Sequence, residues 1–344
     1  MLQYQPSPAL DQLVRTLHQA VAIDKIYLLG VATDNLPVNS IFRPFFHGEE
    51  PAAGYFLLLL TRPGEKKSDD VIQDMLEQRN RLRMPVNLIV HPVKVFYQWL
   101  KAGQAFAIQV VNKAPLLYNA GITNLPAPGY DNLKEHLVNQ ETQAQKGYDR
   151  SVAFLSGARQ FIERQQFNLA AFLLHQASEH ACMSFVLQST GLRTGTHNID
   201  KLLRYSTMMG NALNSIFPRT TAEDIELFRL LQKAYIHGRY KEDYMISEEQ
   251  ILILAARVEK LVRRFCPDAD LSQRMVEEAA VPWPSRSGKL KKAGRGGRSK
   301  LPAGKAAVNI LQDQYQKKYD HQYCTYGKID ATSAEYLSFL IEGS

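Results

Sequence analysis

The stretch FNLAAFLLHQASEHACMSFVLQSTG, at residues 167–191, decides the fold class of the second half of the chain. Its apolar residues recur every three or four positions, which is the spacing of a helix, and Gly191 ends the pattern as a C-terminal cap. Four more segments share this periodicity, at residues 151–166, 198–210, 221–238 and 247–265. The last three begin with residues that cap helix N-termini, namely Asn198, Thr221 and Ser247. Five amphipathic helices joined by short loops predict an all-α, up-and-down bundle at residues 131–267.

The N-terminal part alternates between helical and strand patterns. PALDQLVRTLHQAV and SDDVIQDMLEQRNRLR have helical spacing, whereas KIYLLG, GYFLLLLT and VNLIVH are short apolar runs. Fully apolar strands separated by helices predict a small sheet covered on at least one face. Residues 93–118 read as helix with short connections, and GITNLPAPGY at residues 121–130 is a linker rich in proline and glycine. The predicted fold class is therefore α+β, with a small α/β domain at residues 1–122 before the helical bundle.

The basic charge of the chain is concentrated after the bundle. Residues 285–305 contain eight lysines and arginines and no acid, and removing them from the net charge of +7 leaves about −1. Such a segment buries too little apolar surface to offset its ordering entropy, so we predict a disordered basic linker at residues 282–305. It is either a plain tether or a loose contact with the phosphates of RNA. In the second case the nucleic-acid-binding residues are Arg286, Lys289, Lys291, Lys292, Arg295, Arg298 and Lys300.

Residues 306–344 return to a helical pattern after the basic linker. Their apolar and aromatic side chains recur at helical spacing, which predicts a helical tail. Such a tail docks either on this chain or on a protein partner.

The cysteines and the apolar runs indicate where in the cell the protein is located. Cys182, Cys266 and Cys324 are far apart and form no C-x-x-C pair, which suits a reducing cytosol and argues against structural zinc. The first residues show no basic segment followed by an apolar run, and no apolar run is long enough to span a bilayer. We therefore expect a cytoplasmic protein without membrane contact, cofactor or metal site.

Three motifs, in this order, resemble those of the HEPN domain, a prokaryotic helical bundle often paired with minimal nucleotidyltransferases. They are LHQASE at residues 174–179, TH at 196–197 and RY at 239–240. The resemblance implies a nucleotide or RNA ligand and a homodimer formed through the bundle. It also implies a role in bacterial stress response, mobile-element defence or toxin–antitoxin control.

The N-terminal part resembles a nucleotidyltransferase domain in which the catalytic residues are missing. In that family a G-S pair follows the first strand, a D-x-D follows on the next, and a third acid lies on a later strand. Here Val31 follows Gly30, YFLLLLT has no carboxylate, and Asn87 takes the third position. An amide does not supply the negative charge that binds Mg²⁺. We therefore predict a degenerate, non-catalytic domain, in which the nearest acids are Asp34, Glu49 and Glu50.

A nuclease site is the alternative for the bundle. HEPN ribonucleases resemble one another in having an arginine and a histidine with four to six residues between them. Here Arg239 follows His237, Arg229 precedes it with seven residues between, and Arg193 and His197 have only three between them. Because no pair fits, we predict no catalytic residue, and we keep a metal-independent ribonuclease using His237 with Arg229 or Arg239 as the alternative.

A ligand site is the prediction that we prefer. Arg239 and Tyr240 match the RY motif, in which an arginine at a helix end meets a phosphate or carboxylate; otherwise Arg239 pairs with Glu242 or Asp243. His175 and Glu179 share a helix face and form either an acid–base or metal-like pair or a buried polar hydrogen bond. His197 is either a first-turn hydrogen-bond partner or a pocket ligand. The sequence thus predicts a non-catalytic, regulatory nucleotide- or RNA-binding protein, with ligand-binding residues His175, Glu179, His197, Arg239 and Tyr240.

Overall fold

A computed structural model of the chain describes residues 7–33, 38–42, 52–80, 85–210, 213, 215–241 and 243–265. It has the predicted α+β architecture, with a small sheet and its helices followed by a helical bundle. All of these residues belong to one compact unit, Met1–Trp283. The predicted basic linker and helical tail lie outside the described residues, and so do Asp34, Glu49, Glu50 and Glu242.

The sheet is built around two long, buried strands. β1 (Ile23–Ala32) and β3 (Gly54–Thr61) are antiparallel, and β4 (Val86–Pro92) pairs with β3 in parallel. The short strands β2 (Asn39–Ser40) and β5 (Leu116–Asn119) each pair with β1. Every residue of β3 is buried, which explains why its sequence is apolar throughout rather than alternating.

Four helices accompany the sheet. They are α1 (Pro8–Ala20), α2 (Asp69–Asn80), α3 (Val93–Ala102) and α4 (Ala105–Lys113). The three long strands and the helices before β5 agree with the sequence prediction, but β5 does not, because residues 93–118 were expected to contain no strand. Pro115 accepts a hydrogen bond from the Leu28 amide at the point where β5 joins the sheet. This non-local pairing leaves no periodic signal in a segment of four residues.

Five long helices and one short one form the bundle. They are α5 (Leu133–Glu163), α6 (Phe167–Thr190), α7 (Ile199–Thr207), α8 (Ala222–Lys233), α9 (His237–Tyr240) and α10 (Glu248–Phe265). The predicted caps are present: the side chains of Asn198, Thr221 and Ser247 each accept a backbone N–H of the following turn. Gly191 ends α6 with a φ of 78°, in the left-handed region that favours glycine.

Two helices differ from the sequence prediction. α5 begins at Leu133, well before the periodic segment that starts at residue 151. The sequence pattern misses the first turns of this helix because they are exposed and carry no apolar stripe. The helix predicted at residues 221–238 is divided in two: α8 ends at Lys233, and after a turn α9 begins at His237. Gly238 packs against α6 so closely that a β-carbon there would lie 3.0 Å from the carbonyl oxygen of Asn168.

α7 connects the bundle to the sheet region through buried hydrogen bonds. The Tyr205 hydroxyl donates to the carbonyl of Leu88 on β4 at 2.9 Å and accepts from the Gln73 amide on α2 at 2.5 Å. Beyond the end of α7, the carbonyl of Met208 accepts from the Ser40 hydroxyl at 2.5 Å. Burial raises the pKa of Tyr205, so its hydroxyl keeps the proton that it donates.

The Tyr205→Phe variant tests this junction. Removing the hydroxyl takes the donor away from the Leu88 carbonyl and one acceptor away from the Gln73 amide, which keeps its bond to Glu77, so the free energy of unfolding should fall by about 1–3 kcal/mol. Urea denaturation measures the change as a lower midpoint at constant slope. The control is Tyr130→Phe, which removes a hydroxyl from a tyrosine that is 54% exposed and should change the stability little. Equal losses of stability in the two variants would show that the Tyr205 hydrogen bonds do not stabilise the contact between α7 and the sheet region.

Candidate functional site

Three separate stretches bring the predicted ligand-binding residues together. α6 carries His175 and Glu179 one turn apart, the loop between α6 and α7 carries His197, and α9 carries Arg239 and Tyr240. These side chains form a continuous series of contacts, and the Tyr235 ring lies at its centre. The sequence prediction missed Tyr235, although its position four residues before Arg239 is a signal that the two can meet.

The Glu179 carboxylate is buried and held by neighbouring donors. It is 3% exposed, and it accepts hydrogen bonds from Nδ1 of His197 at 3.1 Å and from the Gln176 amide at 3.3 Å. Burial raises the pKa of Glu179, but the hydrogen bond from His197 and the closeness of both histidines outweigh burial and lower it to about 2. Because this lies below the ordinary value of 4.5, the ionised carboxyl stabilises the fold above about pH 4.5, and the contribution is lost as the pH falls toward 2.

His175 is the inner neighbour of Glu179. Its Nδ1 lies 2.9 Å from the carbonyl oxygen of Leu231, and because a carbonyl only accepts, Nδ1 carries a proton. Its Nε2 faces Glu179 at 3.4 Å but, among the described residues, has no partner in hydrogen-bonding geometry. His175 is 1% exposed and therefore closed to solvent. This arrangement favours the buried polar contact over an acid–base or metal-binding pair.

His197 and Arg239 place two cationic groups over the Tyr235 ring. The His197 ring stacks on Tyr235 at 4.8 Å, and the guanidinium carbon of Arg239 lies 4.7 Å from the same ring. The hydrogen bond from His197 to Glu179 raises the pKa of His197 and favours its charged form. The His197 side chain is 55% exposed, so this charge faces solvent.

Arg239 is fixed by its own backbone and by aromatic rings. Its Nε donates to the carbonyl of Tyr235 at 2.7 Å, and its guanidinium also lies over Phe172 and Tyr240. No ion pair joins it to Asp243 within the described part of the chain, so that alternative is not what the structure shows. Glu242, the other predicted partner, lies outside the described residues.

The residues of the alternative nuclease site are placed differently. Arg229 on α8 donates to both oxygens of the Glu226 carboxylate, at 2.5 and 2.6 Å. His237 lies on α9, beyond the turn that ends α8. Arg229 and His237 therefore do not lie on one straight helix, because the helix is interrupted between Lys233 and His237.

The residues at the position where nucleotidyltransferases carry their third magnesium-binding acid do not fit a divalent cation. Oδ1 of Asn87 on β4 accepts a hydrogen bond from the guanidinium of Arg204 at 2.7 Å, so a protein cation already occupies its oxygen. Glu77 nearby accepts from the Leu88 amide at 2.9 Å and faces Arg204 at 3.5 Å. β3 contributes no carboxylate. Within the described ranges, no group of three or more His, Cys, Asp or Glu side chains has metal-binding geometry.

These features define a two-part α+β protein whose helical bundle carries a buried Glu–His network below a cationic, aromatic surface. Residues 144–268 match the family model of the HEPN domain, which confirms the resemblance: this part of the chain is a HEPN domain. A HEPN domain indicates a nucleotide- or RNA-related function. In the described part of the chain, no helix is both long and apolar enough to cross a membrane.

The chain also has a distant similarity to a solved structure. A crystal structure of a nucleotidyltransferase-like protein from Exiguobacterium sibiricum 255-15 is similar at 14% identity and a TM-score of 0.26, over 90% of this chain and 91% of the other. No curated protein sequence matches the chain.

The Glu179→Gln variant tests the origin of the His197 charge. The pKa of His197 should fall, because the variant lacks the carboxylate whose hydrogen bond and charge raise it. A pH titration of the His197 imidazole signals by NMR measures the change. Glu226→Gln is the matched control, since that carboxylate pairs with Arg229 on the surface of α8. An unchanged pKa of His197 in Glu179→Gln would show that its charge has another source.

Proposed function

We propose that the protein is a non-catalytic, regulatory nucleotide- or RNA-binding protein whose HEPN bundle holds a phosphate at His197 and Arg239. The single observation that supports this most strongly is that the Arg239 guanidinium and the His197 imidazole both lie over the Tyr235 ring, while the buried Glu179 carboxylate raises the pKa of the imidazole. An arginine presents planar donors that match phosphate oxygens, and a protonated imidazole adds another donor beside it.

An exposed aromatic side chain lies beside Arg239. The guanidinium carbon of Arg239 is 4.8 Å from the centre of the Tyr240 ring, and Tyr240 is 64% exposed. A nucleobase stacks on an exposed aromatic ring while its phosphate is held by a neighbouring cation, and this combination is typical of single-stranded nucleic-acid binding. The open surface thus suits both parts of a nucleotide.

The chemistry of the site also supports binding without cleavage. A general base must be able to accept a proton, but Glu179 favours the protonated form of His197. Nε of Arg239 already donates to its own helix turn, and Arg229 is paired with Glu226. The family resemblance implies a role in stress response, mobile-element defence or toxin–antitoxin control. In such a role the protein would act in the cytoplasm by holding its ligand.

Binding of a fluorescently labelled single-stranded RNA, and of mononucleotides by calorimetry, tests this function. Arg239→Ala should raise the Kd by about tenfold or more, because it removes charge-assisted hydrogen bonds to phosphate. The matched control is Arg263→Ala, an exposed arginine that pairs with Glu259 on α10 and should leave the affinity unchanged. Equal thermal unfolding midpoints establish that both variants are folded. No binding by the wild-type chain, or equal binding by both variants, would contradict the proposal.

Incubation of the purified chain with the same RNA in EDTA separates binding from cleavage. The proposal predicts that the RNA stays intact over many hours. Cleavage that is lost in His237→Ala would instead establish the ribonuclease alternative, with Arg229→Ala and Arg239→Ala identifying the arginine that assists it.

A further inference from the structure

The two ring nitrogens of His197 are not equivalent. Nδ1 lies 3.1 Å from Oε1 of Glu179, whose pKa is lowered to about 2, so that the carboxyl is ionised at neutral pH. An ionised carboxylate only accepts hydrogen bonds, so Nδ1 carries a proton in both the neutral and the charged form of the ring. The buried carboxylate of Glu179 therefore fixes the tautomer of His197.

Nε2 is the nitrogen of His197 that is left for a ligand, because Nδ1 is committed to Glu179 and the side chain is 55% exposed. In the neutral ring the single proton is on Nδ1, so Nε2 is a hydrogen-bond acceptor. A phosphate oxygen is also an acceptor, and the two repel each other. In the imidazolium form Nε2 carries a proton and donates a charge-assisted hydrogen bond to that oxygen. Uptake of one proton thus changes Nε2 from a group that repels phosphate to one that binds it.

The charged and titratable groups around His197 come from four parts of the chain. They are Glu179 and His180 on α6, Tyr235 in the turn after α8, Arg239 on α9, and Asp70 on α2. The hydrogen bond with Glu179 is the largest influence and raises the pKa of His197, whereas burial and the charge of Arg239 lower it and the charge of Asp70 raises it slightly. An anion beside the pair of cations would offset their mutual repulsion.

The other histidines of this network are less suited to respond to pH at the surface. Burial lowers the pKa of His180 to about 4, so that its ring is neutral at neutral pH. His175 faces the second oxygen of Glu179 from the inner side and is closed to solvent. His197 is therefore the histidine of this set that is both able to charge near neutral pH and open to a ligand.

We propose that phosphate binding at this surface is coupled to the uptake of one proton by His197, with Glu179 as the positioning residue that imposes the coupling. The coupling rests on the proposed function, because it concerns the same phosphate and the same pair of cations. The ligand is held at a pH below that at which His197 loses its proton, and it is released above that pH. Binding and protonation strengthen each other reciprocally, so the protein takes up RNA in response to a fall in pH.

Binding of a fluorescently labelled oligouridylate between about pH 5.5 and 8 tests the coupling. Neither the phosphodiesters nor uracil titrate in this range, so a change in affinity comes from the protein. His197→Asn keeps a donor for Glu179 at the position of Nδ1 but has no counterpart of Nε2, so its Kd should be high and independent of pH. The Kd of the wild-type chain should rise by about tenfold per pH unit above the pKa of His197, until it reaches the value of this variant.

Glu179→Gln distinguishes a positioning role from a purely structural one. The pKa of His197 falls without the carboxylate, so the midpoint of the pH profile should move to lower pH. The matched control is His18→Asn, which replaces a histidine of α1 that stacks on Tyr118 and should leave the profile unchanged. Thermal unfolding midpoints establish that each variant is folded.

Calorimetry of the wild-type chain measures the coupling without any variant. Titration with the same RNA in buffers of different ionisation enthalpy gives the number of protons taken up on binding. This number should approach one above the pKa of His197 and zero well below it.

The outcomes separate the coupling from the proposed function. RNA binding that depends on Arg239 but has the same Kd at every pH, with no proton taken up, would overturn the coupling and leave the RNA site standing. No RNA binding by the wild-type chain would overturn both. Nitrogen NMR of the free chain adds a test that needs no ligand, since a proton on Nε2 of the neutral His197 ring would overturn the tautomer on which the coupling depends.

Discussion

The buried carboxylate of Glu179 is the constraint on which the functional surface depends. An ionised group inside a helical bundle needs hydrogen-bond donors, and here one comes from α6 itself and one from the loop before α7. The hydrogen bond from His197 therefore fixes that loop against α6, places the imidazole beside Tyr235 and raises its pKa. Arg239 lies over the same ring, so a buried negative charge organises the positive charge that solvent sees.

α7 links this network to the rest of the molecule. Its N-terminus follows His197 directly, and its other side reaches the sheet region through Tyr205 and Arg204. The helix carries Asp200 in its first turn, where a carboxylate is favourable to the helix dipole and also faces two arginines. α7 thus connects the loop that carries His197 to the sheet region through its own side chains.

The sequence predicts the parts of the fold whose signals are local. Apolar runs identify β1, β3 and β4, and capping residues such as Asn198 identify the starts of bundle helices, because both patterns follow from burial and backbone chemistry within a few residues. It does not predict β5, the early start of α5 or the break before α9, since these depend on pairing and packing with distant elements. Likewise Arg204 and Asn87 are 117 positions apart, so only the folded chain shows their hydrogen bond, whereas the contact between His175 and Glu179 follows from helical spacing.

The central claim is that the HEPN bundle presents Arg239 and His197 together to a phosphate. NMR observation of the Arg239 Nε–H and His197 imidazole signals during titration with a short single-stranded RNA tests it most directly. The account predicts that both signals shift together and saturate at the same RNA concentration. Saturating RNA binding that moves neither signal would contradict the account, because the phosphate would then lie away from the two cations that define the site.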